Sequence, residues 1–477
     1  MIYDRDYLHG MHYADALNYL YSLTNYERVH LKDYTPRTLD LSRMTRLLER
    51  LGAPHERFRS IHVAGTKGKG STCAFLAACL RQLGVRVGLY TSPHLSSFRE
   101  RIRVDGDLIA PEQVAELTQQ VKAAADDIPG VTTFEAVTAL AFLHFARARV
   151  AWAVVEVGLG GRLDATNVIL PEVSVITSIS YDHTQILGSS LSQIAAEKCG
   201  IIKPAVPVVS QSQHPEAMAV IERVAYERSA PLTVVGKHWR WSVEAVRLTK
   251  QSFELKKAAQ PRTNDHPFVN SLEGHYEIAL LGRHQVENAA TAVATLDVLR
   301  EALANSGVTS LSPRAIRDGL RMTQWPGRFE VLRTDPPVVV DGAHNADSAN
   351  KLAATLAEVF PGRRWVFVFG TLKDKDAEGM ISALSPRASR WVVSQPAGNP
   401  RAQSAELLAE MLRARGARVS VAPSLSEAMD AIVNSVEPVC VTGSLAFVGE
   451  AREHWADKTG ARLLFVADRT PDECIAR

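Results

Sequence analysis

A short stretch rich in glycine and lysine is the part of this sequence most able to do chemistry. It reads Gly65-Thr66-Lys67-Gly68-Lys69-Gly70-Ser71. Glycines let a turn aim several backbone N–H groups at one anion, and the positive end of a following helix strengthens that attraction. An apolar run precedes the stretch and a helical pattern follows it. The sequence therefore predicts a loop that binds the phosphates of a nucleoside triphosphate, with Lys69 reaching the outer phosphates.

The loop departs from the usual spacing of such motifs. In the usual pattern, G-x-x-x-x-G-K-[ST], the hydroxyl residue directly follows the lysine. Here Gly70 stands between Lys69 and Ser71. A plain glycine-rich turn is the alternative interpretation, but a position between a strand and a helix favours phosphate binding.

Three further polar side chains stand at or just beyond the ends of predicted strands. Glu156 ends one strand, whereas Ser92 and His183 follow two others. A carboxylate that ends a buried apolar strand costs free energy unless it binds something. Because a phosphate loop works with magnesium, which takes oxygen ligands and keeps several waters, these donors could converge on one cation. The alternatives are a buried salt bridge for Glu156 and a structural role for His183, since imidazole is not a favoured magnesium ligand.

Two charged residues lie at and after a proline–glycine corner later in the chain. Arg328 follows Trp325-Pro326-Gly327, and Asp341 ends the next predicted strand. An arginine at such a corner is usually a surface residue, but in a cleft enzyme it can also bind phosphate when two domains close. Periodicity does not decide between these two interpretations.

The elements that must position these residues alternate short apolar runs with longer amphipathic runs. Strands are predicted at 61–64, 85–91, 152–157, 173–179, 206–210, 338–341, 365–369, 391–394, 418–421 and 438–442. Helices are predicted at 71–82, 112–125, 134–148, 190–199, 215–228, 284–303, 346–359, 376–385, 403–415 and 424–435. Apolar strands that alternate with helices indicate a mostly parallel sheet covered on both faces. The polar segment 245–280 is predicted to form loops or a small antiparallel flap.

The pattern divides the chain into two α/β domains. We expect the boundary at the Trp325-Pro326-Gly327 corner, so that residues 1–325 form one domain and residues 326–477 a smaller second one. Ligands of open α/β sheets bind beyond the carboxyl ends of the strands, so a cleft between the two domains is the expected site.

Composition argues against several functional classes. A chain of 477 residues with 46% hydrophobic and 22% charged residues is typical of a globular protein with more than one domain. A net charge of +2 gives no electrostatic case for binding nucleic acid or an anionic membrane. We expect neither a membrane span nor a signal peptide, because no apolar run of the required length is present. The five cysteines form no C-x-x-C pair and indicate reduced thiols in a cytoplasmic protein.

These residues alone predict a two-domain cleft protein that depends on magnesium and a nucleotide. A hydrolysis-driven switch, a kinase and a ligase all remain open at this point. A choice among them needs a longer pattern than any single motif provides.

A longer series of motifs resembles the folylpolyglutamate synthase/dihydrofolate synthase family of the ATP-dependent Mur ligases. The glycine-rich stretch is followed, in family order, by Thr91-Ser92-Pro93-His94-Leu95, by residues 156–167 and by Asp182-His183-Thr184. The series continues with residues 197–203, 284–289, 326–330, 341–345 and 370–376. These blocks run from about residue 40 to residue 445, and the block at 156–167 is highly specific.

The resemblance implies a fold and an activity. The fold is a P-loop ATPase domain with a mostly parallel sheet plus a smaller C-terminal Rossmann-like α/β domain. The activity is an ATP-dependent amide ligase that joins L-glutamate to a folate-type carboxylate, by tetrahydrofolate polyglutamylation, by conversion of dihydropteroate to dihydrofolate, or by both. ATP phosphorylates the carboxylate to an acyl phosphate, because a carboxylate is a poor electrophile, and the glutamate amine then displaces phosphate.

The resemblance also implies roles for individual residues. Those expected to hold the ATP phosphates are Lys67, Gly68, Lys69, Gly70 and Ser71. Those expected to contact the nucleotide from the far side of the cleft are Asn288, Arg328 and Asp341. The expected ligands of two magnesium ions are Ser92, Glu156, His183 and Lys198, with Lys198 carbamylated so that it supplies an anionic oxygen. The expected catalytic residues are Lys69, Glu156, His183 and Lys198.

A second set of residues is expected on the substrate side. The acceptor pocket is expected to include Thr133, Phe134, Glu135, Leu163, Asp164 and Ala165. The incoming glutamate is expected near His344 and Ser444. The expected partners are therefore folate or dihydropteroate, L-glutamate and ATP, and we expect a monomer with no nucleic-acid or membrane partner.

Two other functions remain as alternatives. A Mur-type ligase that acts on a cell-wall precursor usually has an additional N-terminal domain, whereas only about 60 residues precede the phosphate loop here. A nucleotide-binding module without synthetic activity predicts nucleotide binding with no covalent product. Two departures from the family pattern, Lys67 in place of the commoner asparagine and Ala346 in place of proline, change no catalytic donor.

Overall fold

The computed structural model describes residues 11–25, 40–258, 271–396 and 399–464. Within them, the first half of the chain forms an eight-stranded sheet from β1 (Arg59–Ala64), β2 (Val87–Tyr90), β3 (Ile102–Val104), β4 (Asp107–Leu108), β5 (Trp152–Glu156), β6 (Val173–Ile176), β7 (Val208–Ser210) and β8 (Leu232–Val234). The strand order is β4-β3-β2-β5-β1-β6-β7-β8. Neighbouring strands run parallel except at one edge, where β2–β3 and β3–β4 are antiparallel. The prediction of a mostly parallel sheet is confirmed.

Helices cover both faces of this sheet. They are α1 (Tyr13–Ser22), α2 (Leu41–Arg50), α3 (Lys69–Gln82), α4 (Pro111–Ala125), α5 (Thr133–Arg147), α6 (Thr184–Leu187), α7 (Leu191–Cys199), α8 (Pro215–Glu227), α9 (Arg283–Val298), α10 (Arg300–Asn305) and α11 (Pro313–Met322). Val154 of β5 packs in a core with α3 and α9, whereas Ala153 and Val155 pack in a second core with α4 and α5. Because successive strand residues point to opposite faces, a strand that is apolar throughout needs cover on both.

The segment after β8 forms a small antiparallel sheet. Its strands are β9 (Trp239–Val246), β10 (Gln251–Lys257) and β11 (Gly274–Ile278). The buried side chains of Phe253 and Tyr276 join the core that contains α3 and α9. Of the two structures predicted for 245–280, the antiparallel flap is the one found, and residues 259–270 lie outside the described residues.

The second half of the chain forms a separate six-stranded sheet. Its strands are β12 (Glu330–Thr334), β13 (Pro337–Asp341), β14 (Trp365–Phe369), β15 (Ala388–Val393), β16 (Val419–Val421) and β17 (Val439–Thr442), in the order β12-β13-β17-β14-β15-β16. Only the β12–β13 pair is antiparallel among the described strands of this sheet. The helices are α12 (Ala346–Val359), α13 (Ala377–Leu384), α14 (Ala405–Arg413), α15 (Leu425–Val433) and α16 (Leu445–Thr459). The fold class is as predicted, and the domain boundary at 325/326 stays a prediction.

Several element boundaries differ from those predicted. Helix α3 begins at Lys69 rather than at residue 71, because Gly68 adopts a φ of 89° and serves as its N-cap. The helix predicted at 284–303 is interrupted at Leu299, which separates α9 from α10. No prediction covered helices α1, α2, α11 and α16, or strands β3, β4, β8 and β12.

Four of the five cysteines lie within the described residues. There, Cys73, Cys79, Cys199 and Cys440 are buried and free, and Cys474 lies outside the described residues. No helix in the described part of the chain has the length and apolar character needed to cross a membrane.

Candidate active site

A cavity of about 600 Å³ is lined by residues from both halves of the chain. Every residue to which the sequence assigned a role lies on its wall. They are Lys67, Gly68, Lys69, Gly70, Ser71, Ser92, Thr133, Phe134, Glu135, Glu156, Leu163, Asp164, Ala165, His183, Lys198, Asn288, Arg328, Asp341, His344 and Ser444. The parallel strands explain this convergence, because their carboxyl ends meet at one edge of the sheet. The individual roles of these residues stay predictions.

The glycine-rich loop joins the central strand β1 to the N-terminus of α3. The backbone of Gly68 has a φ of 89° and lies directly against the side-chain amide of Asn288, so a larger residue would be excluded there. The N–H of Thr66 donates to the carbonyl of Ser178 at 2.7 Å, which ties the loop to the segment after β6. Lys69 is the first residue of α3, so its ammonium group and the helix N-terminus act on the same space.

Lys198 reaches the same loop from the C-terminal end of α7. Its side chain is only 4% exposed, and its Nζ donates to the carbonyl oxygen of Gly65 at 2.8 Å. Burial, together with the charge of Lys69, lowers the pKa of Lys198 to about 7. A substantial fraction of this amine is therefore neutral and nucleophilic near neutral pH.

Asp182, in the segment between β6 and α6, is the most heavily compensated carboxylate in the cavity. Its Oδ2 accepts from Nζ of Lys67 at 2.7 Å, and its Oδ1 lies 3.5 Å from Nζ of Lys375. Asn345 also contacts it, at 3.5 Å. Burial alone would raise the pKa of Asp182, but the ammonium groups of Lys67 and Lys375 hold that pKa well below its usual range. Because Lys375, His344 and Asn345 belong to the second half of the chain, Asp182 joins the two halves.

Lys67 is held from both sides of the cavity. Besides donating to Asp182, its Nζ donates to Nε2 of His344 at 2.6 Å. The Nδ1 of His344 is 2.9 Å from the carbonyl of Gly342, and burial lowers the pKa of this histidine to about 4. His344 is therefore neutral, with its proton on Nδ1. Burial also lowers the pKa of Lys67 to about 8, although Asp182 opposes that shift.

Glu156, the last residue of β5, has much weaker compensation than Asp182. The residue is buried, its Oε2 accepts from the N–H of Ser92 at 3.2 Å, and its Oε1 lies 4.0 Å from Nζ of Lys69. Burial raises the pKa of Glu156, and the nearby charges of Lys69, Arg328 and Arg101 only partly oppose that shift. An additional cation would stabilise the ionised carboxylate at this position.

The predicted magnesium ligands fit an ion that shares its coordination with another molecule. Among the described residues, no three His, Cys, Asp or Glu side chains are close enough to hold a metal by themselves. Ser92 and Glu156 are in direct contact, and both line the cavity. Burial lowers the pKa of His183 to about 4, so its ring is neutral. A site with few protein ligands suits magnesium, which usually keeps waters and binds substrate phosphates.

Asn288 and Asp341, predicted to face the nucleotide from the far side, are hydrogen-bonded to neighbouring protein groups. The side-chain amide of Asn288 accepts from Gln211 at 2.9 Å and donates to Gln285 at 3.0 Å. Asp341 accepts from the N–H groups of Phe329 and Ala343 at 2.8 and 2.9 Å. Burial raises the pKa of Asp341, and the adjacent charge of Arg328 opposes that shift. These side chains are held in place by the protein itself.

The predicted acceptor pocket lies at the N-terminus of α5 and in the segment after β5. Glu135 is paired with Arg43 at 3.1 Å, and the hydroxyl of Thr133 donates to the carbonyl of Leu20 at 2.8 Å. The ring of Phe134 packs directly on Gly158, where any side chain would collide with it. The pocket therefore offers one aromatic face beside a rigid glycine turn.

Ser444 stands at the start of the last described helix. Its hydroxyl accepts from the N–H of Phe447 at 3.2 Å and caps α16. The side chain is 3% exposed, yet it lines the cavity. The structure thus places Ser444 on the same wall as His344 without a direct contact to the phosphate loop.

Sequence reasoning did not single out Asp182 or Lys375 as separate site residues. Both stood inside quoted motifs, but the contacts that matter join residues 115 positions apart for Asp182 and Lys67, and 193 apart for Asp182 and Lys375. Lys67 and Lys375 place two ammonium groups beside the single carboxylate of Asp182 on the cavity lining. Such a wall can bind a polyanion next to a carboxylate and hold the two anions together.

Comparison with known families identifies both halves of the chain. Residues 63–296 match the Mur ligase middle domain, and residues 327–445 match the Mur ligase, glutamate ligase domain. The dihydrofolate synthase/folylpolyglutamate synthase of Bacillus subtilis is 36% identical over 422 residues, which cover 87% of this chain and 94% of that protein.

Solved structures agree with this identification. The Mycobacterium tuberculosis folylpolyglutamate synthase, complexed with ADP and AMPPCP, is 35% identical, with a TM-score of 0.76 and coverage of 87% of this chain and 95% of that one. Escherichia coli FolC in complex with DHPP and ADP is 31% identical, with a TM-score of 0.79 and coverage of 94% and 98%. Both matches extend over nearly the whole of the solved chain.

Proposed function

This chain belongs to the folylpolyglutamate synthase/dihydrofolate synthase family of Mur ligases, and we propose that it is an ATP-dependent ligase that joins L-glutamate to a folate-type carboxylate. The observation that carries the proposal is the convergence of all the expected site residues on one cavity wall. The related structures with ADP, AMPPCP and DHPP support a nucleotide and an acceptor as ligands of that cavity.

The phosphate loop and α3 bind the triphosphate of ATP, with Lys69 next to the terminal phosphate. The acceptor carboxylate attacks the γ-phosphorus, the bond to ADP breaks, and an acyl phosphate forms. The amine of glutamate, after losing a proton, attacks the acyl carbon, and inorganic phosphate leaves as the amide forms. Lys67, Lys69 and Arg328 line the cavity and stabilise the negative charge of the transferring phosphoryl group.

Ser92 and Glu156 would hold magnesium, with His183 also on the cavity lining, and the ion would leave positions for phosphate oxygens and water. The poorly compensated charge of Glu156 is the observation that supports this assignment. When bound, the ion neutralises charge on the phosphates. Glu156 and Ser92 hold the end of β5 and the turn after β2 in one arrangement through their hydrogen bond of 3.2 Å.

Lys198 is the residue we propose to be carbamylated. Its neutral amine would attack carbon dioxide, forming an N–C bond and releasing one proton, and the side chain would then offer an anionic oxygen ligand to a second magnesium ion. The burial of Lys198 and its lowered pKa, about 7, favour the neutral amine that this reaction needs.

The acceptor binds against Phe134 and the turn after β5, and glutamate binds toward the second half of the chain, near His344 and Ser444. This arrangement brings the acceptor carboxylate between the phosphate loop and the amino acid. The two halves meet through Asp182, which helps to keep water away from the acyl phosphate. We further propose that the protein acts as a cytoplasmic monomer on small molecules, without nucleic acid.

An acceptor screen tests the proposed function. Purified protein is given ATP, magnesium and L-glutamate with dihydropteroate, with tetrahydrofolate, with a muramyl cell-wall precursor, or with no acceptor, and phosphate release and amide product are measured. Turnover that requires dihydropteroate or tetrahydrofolate is expected. Turnover with the muramyl acceptor alone would favour the cell-wall ligase, and nucleotide binding without any product would favour the non-catalytic module.

Lys198→Ala tests the carbamate. The variant is expected to lose at least about a hundredfold in turnover, since it removes a metal ligand, and acetate is expected to restore part of the activity by supplying the missing carboxylate. Lys203→Ala is the matched control, because Lys203 donates to the carbonyl of Asn167 at 2.8 Å and lies outside the cavity wall. An equal response of both variants to acetate would contradict the assignment.

A further inference from the structure

A buried chain of hydrogen bonds runs from the central strand to the acceptor side of the cavity. His62, in β1, and Thr166 are fully buried, and they are joined through His62 Nε2 and Thr166 Oγ1 at 2.8 Å. The hydroxyl of Thr166 donates in turn to Oδ1 of Asp164, which also accepts from the N–H of Thr166 at 3.0 Å. No role has so far been given to His62 or Thr166.

The direction of these bonds fixes the state of the histidine. Because the single O–H of Thr166 is donated to Asp164, the Thr166 oxygen accepts from His62, and the proton of His62 is on Nε2. Its Nδ1 is buried and has no partner among the described residues. Burial lowers the pKa of His62 to about 3, so the ring is a neutral donor throughout the physiological range.

The far end of the chain of bonds holds the glycine turn after β5. The second carboxylate oxygen of Asp164 accepts from the N–H of Leu159 at 2.9 Å. That turn leaves no space on either side: Gly158 is covered by the ring of Phe134, and Gly161 lies against the backbone carbonyls of Glu197 and Lys198. A small displacement of the turn would therefore move the acceptor wall relative to Lys198.

We propose that His62 and Thr166 are positioning residues for the acceptor: through Asp164 they hold the turn at 158–161, and with it the wall on which the acceptor binds. The inference rests on the proposed function, because it concerns the acceptor of that reaction. Neither residue lines the cavity, so both act through Asp164 rather than by touching the substrate.

The test uses paired substitutions in the full-length protein, with dihydropteroate and tetrahydrofolate as acceptors. Thr166→Val keeps the shape but removes the hydroxyl, and His62→Leu removes the donor. Thr166→Ser and His62→Gln retain a hydroxyl and an N–H. The matched control is Thr295→Val, since the buried hydroxyl of Thr295 donates only to the carbonyl of Thr291, at 2.7 Å, within α9.

Thr166→Val and His62→Leu are expected to raise the KM for the acceptor by about tenfold, the factor that matches the loss of one buried hydrogen bond. The KM values for ATP and glutamate are expected to stay within about twofold, because the phosphate loop is not altered. The serine and glutamine variants and Thr295→Val are expected to behave like the unchanged protein. If Thr166→Val does not fold, His62→Leu tests the same chain of hydrogen bonds.

An unchanged acceptor KM, or an equal rise in all three KM values, would overturn the inference and leave His62 and Thr166 with a general structural role. Failure of the proposed function is a different result, because the unchanged protein would then turn over neither acceptor. The two failures are distinguished in the same set of assays.

Discussion

Two carboxylates that line the same cavity, Asp182 and Glu156, have opposite electrostatic environments. Asp182 is surrounded by donors, with Nζ of Lys67 at 2.7 Å and Nζ of Lys375 at 3.5 Å, and its pKa lies well below the usual range. Glu156 has Nζ of Lys69 only at 4.0 Å, and burial raises its pKa. Both follow or end strands of the first sheet.

The difference is the one we expect between a carboxylate that stabilises the fold and one that binds a ligand, the role proposed for Glu156. An ionised group removed from water must be compensated by other charges or hydrogen bonds. The protein itself compensates Asp182, which links the two halves of the chain. It leaves Glu156 short of positive charge, as expected of a group that completes its environment with a metal ion and phosphate.

The substitution Glu156→Gln is expected to have the largest effect and tests the ligand role proposed for this carboxylate. Removing a residue that only hydrogen-bonds to a metal ligand typically lowers activity by about 10- to 100-fold. Turnover of Glu156→Gln is expected to fall further, because the proposed ligand carboxylate itself is lost. The thermal unfolding temperature, followed by circular dichroism, is expected to stay the same or rise. A variant with near-normal turnover would remove Glu156 from the proposed magnesium site.

The same substitution at the other carboxylate, Asp182→Asn, is expected to act on stability. The ammonium groups of Lys67 and Lys375, which are largely removed from water, both lose the carboxylate that they share, so the free energy of unfolding is expected to fall by about 3 kcal/mol. Urea denaturation measures this change, and Glu156→Gln serves as the matched control. An equal loss of stability in both variants would show that the two carboxylates do not differ as described.

A smaller effect is expected in the pH dependence of stability without metal. Since the pKa of Glu156 is raised in the folded protein, folding takes up a proton there, and its contribution to stability falls as the pH rises from its unfolded pKa through its folded pKa. The stability of Glu156→Gln relative to the unchanged protein is therefore expected to increase with pH. Urea titrations in EDTA at several pH values measure the difference, and a difference that shrinks with pH would contradict the assignment.

Much of this fold could be predicted from the sequence because its central strands are apolar throughout. The run Trp152–Glu156 shows this pattern, with four apolar residues followed by the single carboxylate of Glu156. The short edge strands β3 and β4 have three and two residues, too few to show a periodicity. Helix α3 began earlier than predicted, because the left-handed backbone of Gly68 is a property of the folded loop and not of a pattern.

The sequence predicted which residues line the cavity, but it did not predict which of them contact each other. The motifs indicated Glu156, His183 and Lys198 as site residues, and all three line the cavity. Nothing in the sequence links Asp182 to Lys375, which is 193 residues away, or His62 to Thr166, which is 104 away. Such pairs arise when sheets and turns pack, and only three-dimensional structure reveals them.

The two contacts of Lys67 have a consequence for how the protein uses energy. One ammonium group bridges a carboxylate of the first half and a histidine of the second, at 2.7 and 2.6 Å. Under the proposed function, an anion that draws this group toward itself competes with the histidine, so binding of that anion is coupled to the contact between the two halves. By reciprocity, that contact changes the affinity of the loop for the anion by the same factor.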